Sequence, residues 1–144
     1  MTQILDQDRI AFLREDYIKG FPAYCGIRAG EISEGTFNSI LNVRSEHKQQ
    51  DGFVHAGVIA TMADHTAGYS AYTKVPKNIR ILTIEFKINY FKPAIGNMVI
   101  CKSKVVNKGK TFLVAESDIY IVSEDAESQV SKAIVTLAAV PSRR

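Results

Sequence analysis

Residues 56–73, AGVIATMADHTAGYSAYT, carry one formal charge, Asp64. A carboxylate is costly to bury among apolar groups unless it is hydrogen-bonded. Asp64 is therefore either held structurally by a backbone or hydroxyl partner, or it works as a base or nucleophile. His55 stands just ahead of this segment, followed by Ala56 and Gly57. In the plainest reading, His55 hydrogen-bonds the first turn. The start of a helix also leaves backbone N–H groups without partners, and such an end holds an anion or a developing oxyanion.

Ala56 and Asp64 are eight positions apart, about 12 Å along one helix. Groups that act on one carbonyl must lie about 3 Å from the reacting atoms. One helix cannot bring both to one substrate. If both act, they come from two copies of the helix packed antiparallel, which gives two equivalent sites per dimer at the subunit interface.

The elements that must position these groups read as follows. Residues 1–20 are an N-terminal segment whose helix spans 6–19, with Ile10, Leu13 and Tyr17 at helical spacing. Phe21-Pro22 ends it. Residues 24–45 give two strands joined near Ser33–Gly35, and 46–52 a polar loop. The segment 56–73 is too long for a strand and reads as a buried helix. Val58, Met62, His65, Tyr69 and Tyr72 share one face. Gly57, Ala60, Thr61, Asp64, Ala67, Gly68 and Ala71 share another, small enough for something to approach closely. A connection at 74–80 precedes strand-like runs at 82–92, 97–106, 111–122 and 129–140, which suggest an antiparallel meander. The expectation is one α+β domain over 1–144, with an antiparallel sheet of about six strands wrapped around one long central helix.

Composition bounds the partners. The chain has 144 residues, 46% hydrophobic and 23% charged, with a net charge of +3. This is ordinary globular composition and gives no electrostatic case for nucleic acid. No apolar run approaches a membrane span, and the charged N-terminus lacks a secretory h-region, so a cytoplasmic protein with no membrane contact is expected. Cys25 and Cys101 are 76 positions apart without ligand spacing, which predicts two buried thiols and no metal site. Lys102, Lys104, Lys108 and Lys110 form a run without acids, and Glu116, Asp118, Glu124, Asp125 and Glu127 a run without bases. These are two solvated strand faces, or the lysines form a local anion site. The Tyr and Phe residues alternate in strands and read as core. There is no G-x-S-x-G elbow and no P-loop.

The segment DGFVHAGVIATMADHTAGYSA resembles the signature of the PaaI-like acyl-CoA thioesterases of the hotdog fold: G-x-x-H-G-G, then an Asp nine positions after the His, then small residues. Gly52, His55, Gly57 and Asp64 match in register. TIEFKINYFKPA at 83–94 resembles that family's strand after the central helix, and the Lys-Gly-Lys turn at 108–110 continues the likeness. The resemblance implies hydrolysis of acyl-CoA, with Asp64 as base or nucleophile supplied across a dimer interface. It makes the backbone N–H of Ala56, beside Gly57, the oxyanion donor. It makes Thr83 a hydroxyl that orients water, and Gln49, in the place of the family's Asn, a holder of the carbonyl or water.

The resemblance further implies that the acyl group lies beside Gly68, Ala71, Tyr69 and Tyr72. The Lys108–Lys110 turn, with Gly109, would meet coenzyme A, whose phosphates the lysines attract, and Asn89 and Thr111 would also bind substrate. It implies no cofactor beyond coenzyme A as part of the substrate, and a homodimer or a dimer of dimers (a homotetramer). Ala56 replaces the first Gly of HGG. A backbone donor survives that change where φ is ordinary and fails where φ is positive. Two other readings are an enoyl-CoA hydratase of the same fold, with His55 and Asp64 on adjacent carbons, and a non-catalytic acyl-CoA binding module.

Overall fold

A computed structural model describes residues 4–142; residues 1–3 and 143–144 of the expected domain lie outside the described residues. The chain runs α1 (Gln7–Tyr17), α2 (Phe21–Cys25), β1 (Ile27–Ser33), β2 (Thr36–Asn42), a 3-10 turn at Ser45–His47, and α3 (Ala56–Tyr72). Then come β3 (Ile79–Tyr90), β4 (Met98–Lys108), β5 (Phe112–Ser123) and β6 (Ala126–Pro141). The six strands form one antiparallel sheet in the order β1-β2-β4-β5-β6-β3. α3 packs across β2 to β6, the hotdog arrangement of sheet around helix. No helix is long and apolar enough to cross a membrane.

The meander expected for the last four strands holds only for β4, β5 and β6. β3 pairs with β6, not with β4, and takes the far edge. The chain enters α3 from the β2 side of the sheet and leaves it for the opposite edge, so β2 and β4 close up behind it. α1 ends at Tyr17. Pro22 opens the five-residue helix α2, because a proline in the first turn loses no hydrogen bond. β3 also starts at Ile79, shortening the expected connection.

α3 has no polar face because it is packed on most sides. Ile59, Met62, Ala63, Thr66, Ala67, Ser70 and Ala71 are buried. Beneath them the sheet presents small hydroxyl and thiol residues. Ser117 donates to the Ala63 carbonyl at 2.7 Å and bonds Ser103 at 2.6 Å. Thr66 meets Ser39 and the Tyr17 hydroxyl, both at 2.8 Å. Each buried polar group in this seam is paired, as burial requires. Small side chains on both sides let the helix lie close. α1 closes the end of the core, with Tyr17 stacked on Phe37 (4.8 Å between ring centres) and edge-on to Tyr69 (5.1 Å).

Two sequence expectations change. Cys101 is buried, but Cys25 is half-exposed, and both are free thiols. The aromatics do not all enter the core. Phe86 and Tyr90 of β3 are exposed, as are Phe91, Phe112, Phe12, Phe21 and Tyr24. β3 is an edge strand, with no further strand among the described residues to cover Phe86 and Tyr90.

The charge runs are explained by register. Lys102 faces Asp118 and Lys104 faces Glu116 across β4 and β5. Lys104 and Lys132 both pair with Glu116 at 3.3 Å, Lys132 reaches Asp118 at 3.0 Å, and Lys102 reaches Glu127 at 3.7 Å. The two runs offset one another on the outer face. Lys108 and Lys110 have no ion pair among the described residues.

The turn between β5 and β6 holds Glu124 at φ 51° and Asp125 at φ 64°. Two successive left-handed residues make the turn type that favours Asn-Gly, and non-glycine residues are disfavoured there. Replacing Glu124 by Asn and Asp125 by Gly should stabilise the fold by about 1 kcal/mol. A higher urea midpoint at unchanged slope is the expected result.

Candidate active site

α3 begins at a cap that its own sequence supplies. His55 sits in extended backbone (φ −62°, ψ 136°), and its Nδ1 accepts the Gly57 N–H at 2.8 Å. That use fixes the ring and occupies Gly57. A Cβ on Gly57 would lie 3.0 Å from the same nitrogen, so a larger residue would push the cap aside. The Val58 and Ile59 N–H groups bond the His55 carbonyl. The Ala56 N–H has no partner among the described residues. Ala56 is not among the positive-φ residues, so the donor survives the replacement of glycine. Of the two expected donors, Ala56 is therefore the open one.

Asp64 lies two turns further along, half-buried on the outer side of α3. Thr83 of β3 donates its hydroxyl to Asp64 Oδ1 at 2.7 Å, leaving Oδ2 open. The hydrogen bond orients the carboxylate and ties the helix to the edge strand. Tyr90, at the other end of β3, donates to the Ala56 carbonyl at 2.8 Å. Tyr90 was not expected in the site. Simple alternation over residues 83–90 puts Tyr90 on the face opposite Thr83, and only the register shift between Thr83 and Glu85 turns both toward α3.

The structure places the other expected residues as follows. The Gln49 side-chain oxygen turns back and accepts the N–H groups of Asp51 and Phe53, so it shapes the loop that leads into α3. Gly68 faces open space, with nothing within 4 Å of where a Cβ would be. Ala71 is fully buried against the core and cannot line a pocket. Tyr69 is 8% exposed, and its hydroxyl donates to Asp16 at 2.6 Å, so it belongs to the packing between α1 and α3. The small-residue face thus divides. Ala67 and Ala71 pack inward, while Gly57, Ala60, Thr61, Asp64 and Gly68 stay partly open. Tyr72 is half-buried at the edge of that strip.

Asn89 is exposed, opposite Lys132 on the outer face. It lies about 20 Å along β3 from Thr83. Gly109 makes a close turn: its N–H bonds the Phe112 carbonyl at 2.8 Å, and a Cβ would meet that oxygen at 2.8 Å. Lys110 and Thr111 are exposed beside it. Lys108 shares a groove of about 390 Å³ with Lys74, Lys104 and Glu34. Among the described residues no three His, Cys, Asp or Glu side chains are grouped to hold a metal ion.

His65 neighbours Asp64 but turns inward, its Nε2 2.8 Å from the Tyr17 carbonyl and its ring 4.3 Å from the Tyr17 ring. Burial holds its pKa below the ordinary value of 6.5. It is therefore neutral, with Nε2–H donating, and the folded state binds a proton less readily than the unfolded chain. Stability from this group is present above pH 6.5 and lost as pH falls below it. Urea unfolding between pH 7.5 and about 5 should show that decline, and His65→Gln should flatten it.

Residues 51–126 match the family model described as the thioesterase superfamily. A candidate esterase of Saccharolobus solfataricus is 32% identical over 112 residues, covering 77% of this chain and 76% of the relative. One of Halobacterium salinarum is 26% identical over 137 residues, 90% of each chain. Among solved structures, a thioesterase family protein of Silicibacter pomeroyi superposes with a TM-score of 0.89 at 28% identity, covering 92% of this chain and 98% of that one.

Proposed function

The chain belongs to the thioesterase superfamily and is a hydrolase of hotdog fold, and from that premise we propose that it hydrolyses acyl-CoA to free acid and coenzyme A, in the PaaI-like manner. One observation carries the reading: Asp64 stands on the open strip of α3 with one oxygen held by Thr83 and the other free. In the reaction, Asp64 takes a proton from water, which attacks the thioester carbonyl. Charge then develops on the carbonyl oxygen, where a backbone N–H at a helix start stabilises it. The carbon–sulfur bond breaks, and the thiolate of coenzyme A leaves and takes up a proton.

The Ala56 donor belongs to a second copy. Within one chain it lies about 12 Å from Asp64 along the helix. The edge strand β3 supports that pairing. It has twelve residues with no neighbouring strand on its outer side among the described residues, and exposes Leu82, Ile84, Phe86 and Tyr90. A long apolar edge is a template for another strand. Two β3 edges joined antiparallel would set two α3 helices side by side, Asp64 near Ala56 of the partner subunit. A homodimer, alone or paired into a tetramer, is the working unit in a cytoplasmic setting, and no cofactor is needed. The hydratase reading finds less support, because the His55 Nδ1 is occupied as a cap.

Thiol release from a panel of acyl-CoAs tests the chemistry. Asp64→Asn should lower kcat by about 10²–10⁴-fold with the dimer intact in sedimentation, and Thr83→Val by about tenfold. Ala56→Pro removes the donor but suits the first helical position and the extended His55 before it. It should also be nearly inactive. Mixing the Asp64→Asn and Ala56→Pro chains should restore about a quarter of wild-type activity, through heterodimers with one intact site. Activity in Asp64→Asn alone, or no recovery on mixing, would count against the shared site. Tight acyl-CoA binding with no thiol release would favour the binding-module reading.

The unpaired Lys108 and Lys110 are assigned to the phosphates. Replacing both by Ala should raise KM for CoA esters severalfold and leave short thioesters without the nucleotide unchanged. An equal effect on both substrate types would remove the assignment.

A further inference from the structure

Among the described residues, Arg9 Nε is the one buried side-chain nitrogen or oxygen without a hydrogen-bond partner. The Arg9 guanidinium also has no ion pair among those residues. Buried polar atoms are paired as a rule, and an exception calls for an explanation. Arg9 lies in a cavity of about 700 Å³, open on one side, that Ile4, Asp6, Phe12, Pro76 and Lys77 help to line. Its Cζ lies 5.4 Å from the centre of the Phe12 ring and 6.0 Å from that of Tyr72. Burial draws its pKa below the ordinary arginine value. A guanidinium so placed, on aromatic faces and with its Nε shielded from water, is arranged to receive an acceptor.

Tyr72, whose ring the Arg9 guanidinium approaches, links the cavity to the open strip. Asp64, Gly68 and Tyr72 are four residues apart in turn and follow one stripe of α3. Gly68 contributes no side chain, and its outer side is empty. The stripe runs about 12 Å from the carboxylate to Tyr72, roughly the length of an extended acyl chain of eight to ten carbons. Charge narrows the occupant. Arg9 and Lys77 are offset by Asp6 and Asp8. A nucleotide with several phosphates would be opposed by the two carboxylates, whereas a single acceptor needs only the guanidinium.

We propose that this cavity is the far end of the acyl site and that it takes the distal carboxylate of an ω-carboxyacyl group of medium length, with Arg9 as its partner. The proposal rests on the thioesterase reading above and adds a substrate class to it.

Hydrolysis of octanedioyl-CoA, its ω-methyl ester and octanoyl-CoA by wild type, Arg9→Gln and Arg9→Lys tests it. Wild type should favour the free ω-acid over the methyl ester by about tenfold or more in kcat/KM. Arg9→Gln should erase the preference, Arg9→Lys should restore part of it, and acetyl-CoA, too short to reach, should be unaffected. Both substitutions keep good helix formers on α1, and unchanged melting would show the fold intact. No preference in wild type, or an equal loss on all esters in Arg9→Gln, overturns the proposal while leaving the thioesterase reading standing.

A second arm does not need turnover. Titration calorimetry with octanoate should show binding to wild type that Arg9→Gln loses, and octan-1-ol should bind both alike or neither. If no CoA ester is hydrolysed, the thioesterase reading fails and this arm still decides the cavity. Octanoate bound equally by both proteins, or by neither, overturns the proposal. So does a weakening by Arg9→Gln of desulfo-CoA binding in place of octanoate, which would make the cavity a nucleotide pocket.

Discussion

The setting of α3 about its own axis decides which residues this protein can use, and a seam of buried hydroxyls fixes that setting. Thr66 is held by Ser39 and Tyr17, and the Ala63 carbonyl by Ser117. A helix that is apolar all round has no polar face to tell it which side to bury. Hydrophobic burial is non-directional and would tolerate a turn of the helix. The hydrogen bonds do not, because each broken one leaves a buried group unpaired. With Thr66 and Ala63 turned to the sheet, Asp64 and Gly68 are left on the outside.

That outward strip borders an unfinished sheet. β1 has a short edge, while β3 offers twelve residues with apolar side chains exposed. The Thr83 to Asp64 hydrogen bond ties the unfinished edge to the carboxylate. Whatever positions β3 therefore positions Asp64, and a strand added at that edge would bring a second helix start with it. On the proposed mechanism assembly and chemistry are coupled, because eight residues of helix separate the donor from the base and both are assigned to one carbonyl.

How much of this the chain discloses depends on the range of the interaction. The cap at His55, the helix to Tyr72, and the loneliness of Asp64 are local, and the spacing of residues 55–73 carries them. The partner of Asp64 is 19 positions away, and the resemblance, not periodicity, pointed to Thr83. The path of β3 was not legible as a meander, because alternation marks a strand without naming its neighbour. The resemblance set Tyr69 and Ala71 beside the acyl group, whereas the structure buries both. Helical spacing assigned them to faces, but α1, which takes the Tyr69 hydroxyl through Asp16, is a long-range contact. The two charge runs looked like separate surfaces until register set Lys104 against Glu116.

The departure at Ala56 shows which part of the motif is physical. Two glycines after a histidine suggest two positions that need freedom, yet they differ in kind. Residue 56 has ordinary backbone geometry and contributes only an N–H, so any residue but proline would serve it. Residue 57 also needs no unusual φ, but its Cβ would meet the His55 ring at 3.0 Å. The constraint at 57 is space for the cap, and the cap occupies the second N–H so that the first alone faces outward. Alanine at 56 therefore leaves the donor in place, and also adds a methyl group beside it.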